Sequence, residues 1–130
     1  MLRYGEIVLE LMTAPVNEGV MAEADCVGVY GTVGGGGFGA IYLKVRGNRV
    51  VRCTFRCHGC GASIAAFSCL TILVERKTLS ECREIEAEML LEELGGLPAD
   101  KRHCAQRAIT ALQNALESLK NKHNAERPSE

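Results

Sequence analysis

Cys60 is the residue whose surroundings most invite chemistry. It stands in the run Cys57-His58-Gly59-Cys60-Gly61, where a strand-like alternation gives way to a helix-like segment. A thiol at a helix N-terminus has its thiolate stabilised by the helix dipole, which favours metal binding and nucleophilic sulfur chemistry. Gly59 and Gly61 leave the backbone open on both sides. A second element is the adjacent pair His103-Cys104, in the first turn of a helix predicted to begin near Asp100. Cys104 falls on the apolar stripe of that helix, with His103 about 100° around from it. Cys60 meeting such a pair would make a soft-metal site suited to zinc or iron. On spacing alone, scattered structural cysteine and histidine is an equally good reading.

The chain has seven cysteines in 130 residues. An odd count cannot pair off completely, and a reducing compartment disfavours disulfides. Cys53 faces the core in mid-strand beside Phe55. Cys69 lies nine residues past Cys60, about half a turn out of phase on a buried helix, and reads as packing. Cys82 shares a stripe with Ile85 and Met89 and reads as core. Cys26, at a strand start, is left open. His58 is expected to face solvent beside the site, and His123 falls in a polar tail. Cys53, Cys57 and Cys60 also reproduce the cysteine spacing of radical S-adenosylmethionine enzymes. That reading fails on size, because such enzymes need most of a large α/β barrel. The run Gly34–Gly39 is no phosphate loop, since it opens a strand rather than a helix and no Lys-Ser/Thr follows it.

The elements that would hold these residues follow from periodicity. Tyr4–Met12 reads as a short amphipathic helix stopped by Pro15. Gly39, Ile41, Leu43 and Val45 alternate with Phe38, Ala40, Tyr42 and Lys44, the pattern of a half-buried strand. Gly47-Asn48 is a two-residue hairpin turn. The returning strand puts Val51, Cys53, Phe55 and Cys57 on one face. A weaker strand is expected over Cys26–Val33. Ala62–Arg76 is apolar almost all round, as for a helix packed centrally on a sheet. Thr78 and Glu81 form a capping-box pattern opening a helix that ends at Gly95-Gly96. The last helix carries Cys104, Ala108, Ala111, Leu112, Ala115 and Leu119 on its stripe, and residues 121–130 are expected to fray. The prediction is one α+β domain over residues 1–130, with three antiparallel strands and four to five helices mostly on one face.

Composition narrows the classes. Apolar residues make up 47% and charged residues 24%, a globular balance. Fifteen basic and sixteen acidic residues, with no basic patch interleaved with aromatics, argue against a nucleic-acid binder. No run approaches the roughly 18–20 apolar residues of a membrane helix, and Ile7–Met12 lacks the marks of a signal peptide. The expected setting is the cytoplasm.

Three segments carry a family resemblance. Phe55-Arg56-Cys57-His58-Gly59-Cys60-Gly61-Ala62-Ser63-Ile64-Ala65 resembles the second-cysteine segment of NifU/IscU-type iron–sulfur cluster assembly scaffolds. Leu97-Pro98-Ala99-Asp100-Lys101-Arg102-His103-Cys104 is similar to their Leu-Pro-Pro…Lys-x-His-Cys segment, and Ala14-Pro15-Val16-Asn17-Glu18-Gly19 to their Asn-Pro-Arg-Asn-x-Gly stretch. The resemblance runs from Tyr4 to about Leu119. It implies the SufE/NifU fold, Cys60, His103 and Cys104 as ligands, and a bound iron–sulfur cluster, of the two-iron two-sulfur kind, or zinc. It also implies a cysteine desulfurase partner, with Cys60 or Cys104 accepting the persulfide.

The departures matter as much. Counting back from Leu43-Lys44-Val45 puts Gly35-Gly36-Gly37 where the family has Cys-Gly-Asp, so the first cysteine ligand and the aspartate are missing. Leu97–Lys101 differs from the family's chaperone-recognition segment, which puts that partner in question. Cys57 could replace the lost ligand, giving Cys57, Cys60, His103 and Cys104 as a four-ligand set. The alternative is that Cys57 is a small core residue. Three functions follow. The first is a scaffold that binds iron or a cluster transiently and hands it on. The second is an accessory subunit of a larger iron–sulfur or redox complex with no metal of its own. The third is a zinc-dependent sulfur-transfer protein of SufU type.

Overall fold

A computed structural model describes residues 3–32 and 34–126. Five α-helices and three strands occupy this range, in the order α1 (Glu6–Thr13), β1 (Cys26–Thr32), β2 (Gly37–Arg46), β3 (Arg49–His58), α2 (Gly61–Val74), α3 (Leu79–Arg83), α4 (Ala87–Leu94) and α5 (His103–Glu126). A 3-10 turn, Ala99–Lys101, leads into α5. Val33 and residues 127–130, where a strand end and a frayed tail were expected, lie outside the described residues.

The strands form one antiparallel sheet in the order β1-β2-β3, joined between β2 and β3 by the expected Gly47-Asn48 turn. Gly47 takes φ 66°, a left-handed conformation that costs glycine nothing. Register places Tyr30, Gly39 and Cys57 in one row across the sheet, Gly28, Ile41 and Phe55 in the next, and Cys26, Leu43 and Cys53 in a third. These rows face the helices. Helix α5 lies over β1 so closely that a Cβ at Gly28 would overlap the Ala111 carbonyl oxygen and the Ala115 backbone nitrogen. Helix α2 lies over β3, where Phe67 stacks on Phe55 with centroids 6.2 Å apart. Ten of the fourteen residues of α2 are buried, as an all-round apolar helix requires.

The outer edge of β3 is not free. The Gly19 N–H donates to the Phe55 carbonyl at 2.8 Å, and the Phe55 N–H donates to the Asn17 carbonyl at 3.0 Å. Asn17 sits at φ 65°, and its Nδ2 donates to Thr71 Oγ1 and Glu75 Oε1 at the C-terminal end of α2. The segment Asn17–Gly19 is thereby fixed to both sheet and helix.

Two expectations need correction. The single helix expected from Thr78 to Gly95 is two, broken at Glu84–Glu86, although the Thr78/Glu81 capping box forms as read. In one continuous helix the Cys82–Ile85 pair and the Leu90, Leu91, Leu94 cluster would point roughly 150° apart. Breaking the helix buries both, and it leaves Met89, expected to share the Cys82 stripe, 46% exposed. Val51, expected on the helix-facing side of β3 with Cys53 and Phe55, is 44% exposed, because an irregularity in the β2–β3 register at Lys44/Val45 turns Val50 inward in its place.

Candidate metal and sulfur site

Strand β3 ends at His58, and Cys60 is the N-cap of α2, with extended backbone (φ −75°, ψ 168°) and its carbonyl already accepting the Ile64 N–H. The Cys60 side chain is exposed, whereas Cys104, in the first turn of α5, is fully buried. Their sulfurs are 4.0 Å apart. Ser63, one turn into α2, lies between them: its hydroxyl donates to Cys104 Sγ at 3.3 Å and sits 3.6 Å from Cys60 Sγ. His103 Nε2 is 3.8 Å from Cys104 Sγ.

The two thiols are electrostatically unlike. Partial burial pushes Cys60 up, but the Ser63 backbone amide, its hydroxyl, the Cys104 thiol and the nearby Lys101 ammonium outweigh it, holding Cys60 at about 7. Burial raises Cys104, against a lowering by the Ser63 hydroxyl. An exposed, more acidic thiol therefore stands beside a sheltered, less acidic one. An edge of 4.0 Å is close to the sulfur–sulfur separation of about 3.8 Å in a tetrahedron with metal–sulfur bonds of roughly 2.3 Å. Among the described residues no three His, Cys, Asp or Glu side chains are gathered closely enough to hold a metal as they stand. The exposed His103 lines the same cavity as Cys60.

Cys60, Ser63 and His103 line a cavity of about 200 Å³, and Cys104 lies buried behind them. Cys57, half-buried at the end of β3, lines the same cavity, as do Gly36 and Gly37 from the β1–β2 connection. Burial, followed by the proximity of Cys60, Cys104 and Glu18, raises the Cys57 thiol to about 11. Cys57 shares the wall but not the cluster of close contacts. His58 is exposed beside the site, as expected, tilted against Phe38 at 6.0 Å. Cys53, Cys69 and Cys82 are buried core residues as read, and Cys26, left open by the sequence, joins them. Burial pushes Cys26, Cys69 and Cys82 to about 11 and Cys53 well above the ordinary thiol value, which leaves all four unreactive near neutrality.

Sequence reasoning missed Ser63 and Arg107. Ser63 is three residues after Cys60, the N3 position whose side chain and amide face the N-cap. Arg107 follows His103 by four residues, on the same face of α5, and lines the cavity.

A family model described as the NifU-like N terminal domain matches residues 3–126. The chain belongs to the NifU-like N-terminal domain family. Within it, the chain is 37% identical over 113 residues to the iron–sulfur cluster assembly scaffold protein IscU 1 of Archaeoglobus fulgidus, covering 87% of this chain and 74% of that one. It is 35% identical to the IscU scaffold protein of Aquifex aeolicus, covering 87% and 73%. It is 37% identical to the nitrogen fixation protein NifU of Cereibacter sphaeroides, where it spans only 44% of that longer protein. The NifU-like N-terminal structure from Brucella abortus superposes with a TM-score of 0.71 at 20% identity, covering 92% of this chain and 96% of that one, which establishes the fold. Among the described residues of this NifU-like domain, no helix is long and apolar enough to cross a membrane.

Proposed function

We propose that this NifU-like domain is an iron–sulfur cluster assembly scaffold, which holds iron and sulfide transiently and hands the cluster on. The observation that carries the reading is the Cys60–Cys104 sulfur pair at 4.0 Å with His103 beside it, of which Cys60 and His103 line an open cavity and Cys104 lies buried behind. Transient cargo needs such an opening, where a resident structural metal would be enclosed.

Sulfur would arrive as a persulfide on a cysteine desulfurase. Exposure favours Cys60 as the acceptor, because the buried Cys104 cannot meet a macromolecular donor first. The Cys60 thiolate attacks the outer sulfur of the donor persulfide. A new sulfur–sulfur bond forms, the donor's breaks, and the donor cysteine leaves as its thiolate.

The ligand set departs from the family pattern at Gly35 and Gly37, and Cys57 is the candidate fourth ligand because it lines the same cavity. Anaerobic reconstitution with ferrous iron and sulfide, followed by metal analysis, absorption spectra and transfer to an apo-ferredoxin, tests the scaffold reading. A labile cluster that transfers supports it. Tightly held zinc would assign the chain to sulfur transfer instead, and failure to take up any metal would assign it an accessory role. Cys57→Ser is expected to change the iron stoichiometry or the spectrum; if both stay as in wild type, Cys57 is not a ligand.

A further inference from the structure

The cavity has a second chemistry that ligand counting overlooks. Arg107, Lys101, His103 and His58 line it, and no aspartate or glutamate does. Among the described residues, neither Arg107 nor Lys101 makes an ion pair. Arg107 is half-buried, its guanidinium carbon 5.2 Å from the Tyr30 ring centroid. Its Nη1 lies 3.6 Å from where a Cβ on Gly37 would stand, so it faces the glycine connection across the opening. A guanidinium offers five donors and accepts nothing, and a partly desolvated one gains most from a carboxylate, an oxyanion or another diffuse negative charge. The glycines opposite supply no carboxylate, and nothing stands within 4 Å of a Cβ built on Gly36. Space and positive charge are therefore combined beside two thiols.

We propose that this cavity is an anion site, in which Arg107 and Lys101 hold a compact, sulfur-bearing anion against Cys60. Such an anion has two possible sources. One is a free sulfur oxyanion of the thiosulfate type. The other is the cargo itself, because a diferric, two-sulfide core becomes anionic once three thiolates bind it. The second source rests on the scaffold reading; the first does not.

The test uses metal-free protein and, separately, reconstituted protein. Melting of the metal-free chain is followed in sodium thiosulfate, sodium sulfate and sodium chloride at matched ionic strength. If free oxyanion is the ligand, thiosulfate at about ten times its Kd raises Tm by about 5 °C over chloride. That gain disappears in Arg107→Gln and Lys101→Gln and partly returns in Arg107→Lys. If only the cargo is the ligand, thiosulfate gives no gain, but the reconstituted cluster decays several-fold faster in Arg107→Gln than in wild type and Arg107→Lys. The proposal is overturned if thiosulfate matches chloride and the cluster lifetime is the same in all variants. A chain that takes up no iron yet shows the thiosulfate gain keeps the anion site and loses the scaffold reading; one with a stable cluster but neither anion effect does the reverse.

Discussion

Ser63→Ala removes one oxygen from between the two candidate thiols and leaves the helix otherwise as it is. The Ser63 hydroxyl sits 3.6 Å from Cys60 Sγ and 3.3 Å from Cys104 Sγ, and it helps to hold Cys60 at about 7. The Ser63 amide and Lys101 remain in the variant, so only part of that effect is lost, and Cys60 should move to about 8. The thiolate fraction at pH 6 then falls about ninefold. A more basic thiolate is also a better nucleophile, by about threefold for a Brønsted slope of 0.4–0.5. The product of the two is specific. Alkylation of Cys60 by iodoacetamide in the metal-free variant should be roughly threefold slower than wild type at pH 6. It should be roughly threefold faster at pH 9, with the profiles crossing near pH ~7.6. Peptide mapping assigns the label to Cys60. Parallel profiles, slower at every pH, would mean that Ser63 only shapes access to the sulfur and that the electrostatic account of the pair is wrong.

Other perturbations separate site from scaffold. Gly28→Ala drives a methyl into the backbone of α5 at Ala111 and Ala115, which cannot yield as a side chain would. It should cost about 3 kcal/mol or more and lower Tm by roughly 10 °C, and a melt within 2 °C of wild type would refute the close approach. Cys69→Ala and Cys82→Ala, both in the core, should each cost about 1 kcal/mol in urea denaturation and leave iron stoichiometry unchanged. Thr78→Ala removes the side chain that accepts the Glu81 N–H at 3.1 Å and should cost about 1 kcal/mol in the same assay, with no change in Cys60 alkylation.

What could be seen in the sequence was whatever local physics decides. The Gly47-Asn48 turn and the alternation on either side of it dictate a hairpin with Cys57 near its end, and the change of period after Gly59 puts Cys60 at a helix start. The break between α3 and α4 was not read, because Cys82, Ile85 and Met89 make a credible helical stripe by themselves, while Leu90, Leu91 and Leu94 fall on the opposite side of the same wheel. Only the core decides that Ile85 and Leu90 must both be buried. Arg107 was missed for a related reason. On a helical wheel it borders a polar face like any solvated arginine, and its meaning depends on the glycine connection opposite, some seventy residues earlier in the chain. Cys57 was legible as a residue on the helix-facing side of β3, but its distance from the Cys60–Cys104 pair is a tertiary quantity that no spacing rule supplies.

The pairing of Asn17 and Gly19 with Phe55 has a consequence for how the molecule behaves in company. A strand at the margin of a sheet is a template for adding another chain, and β3 would present Phe55 and its neighbours to any copy that met it during folding. The short segment seals that margin, and Asn17 locks the seal to α2 through Thr71 and Glu75. The strand that leads to the reactive sulfur is thereby kept from the intermolecular zippering that ends in insoluble aggregates, while the thiol at its far end stays within reach of a partner.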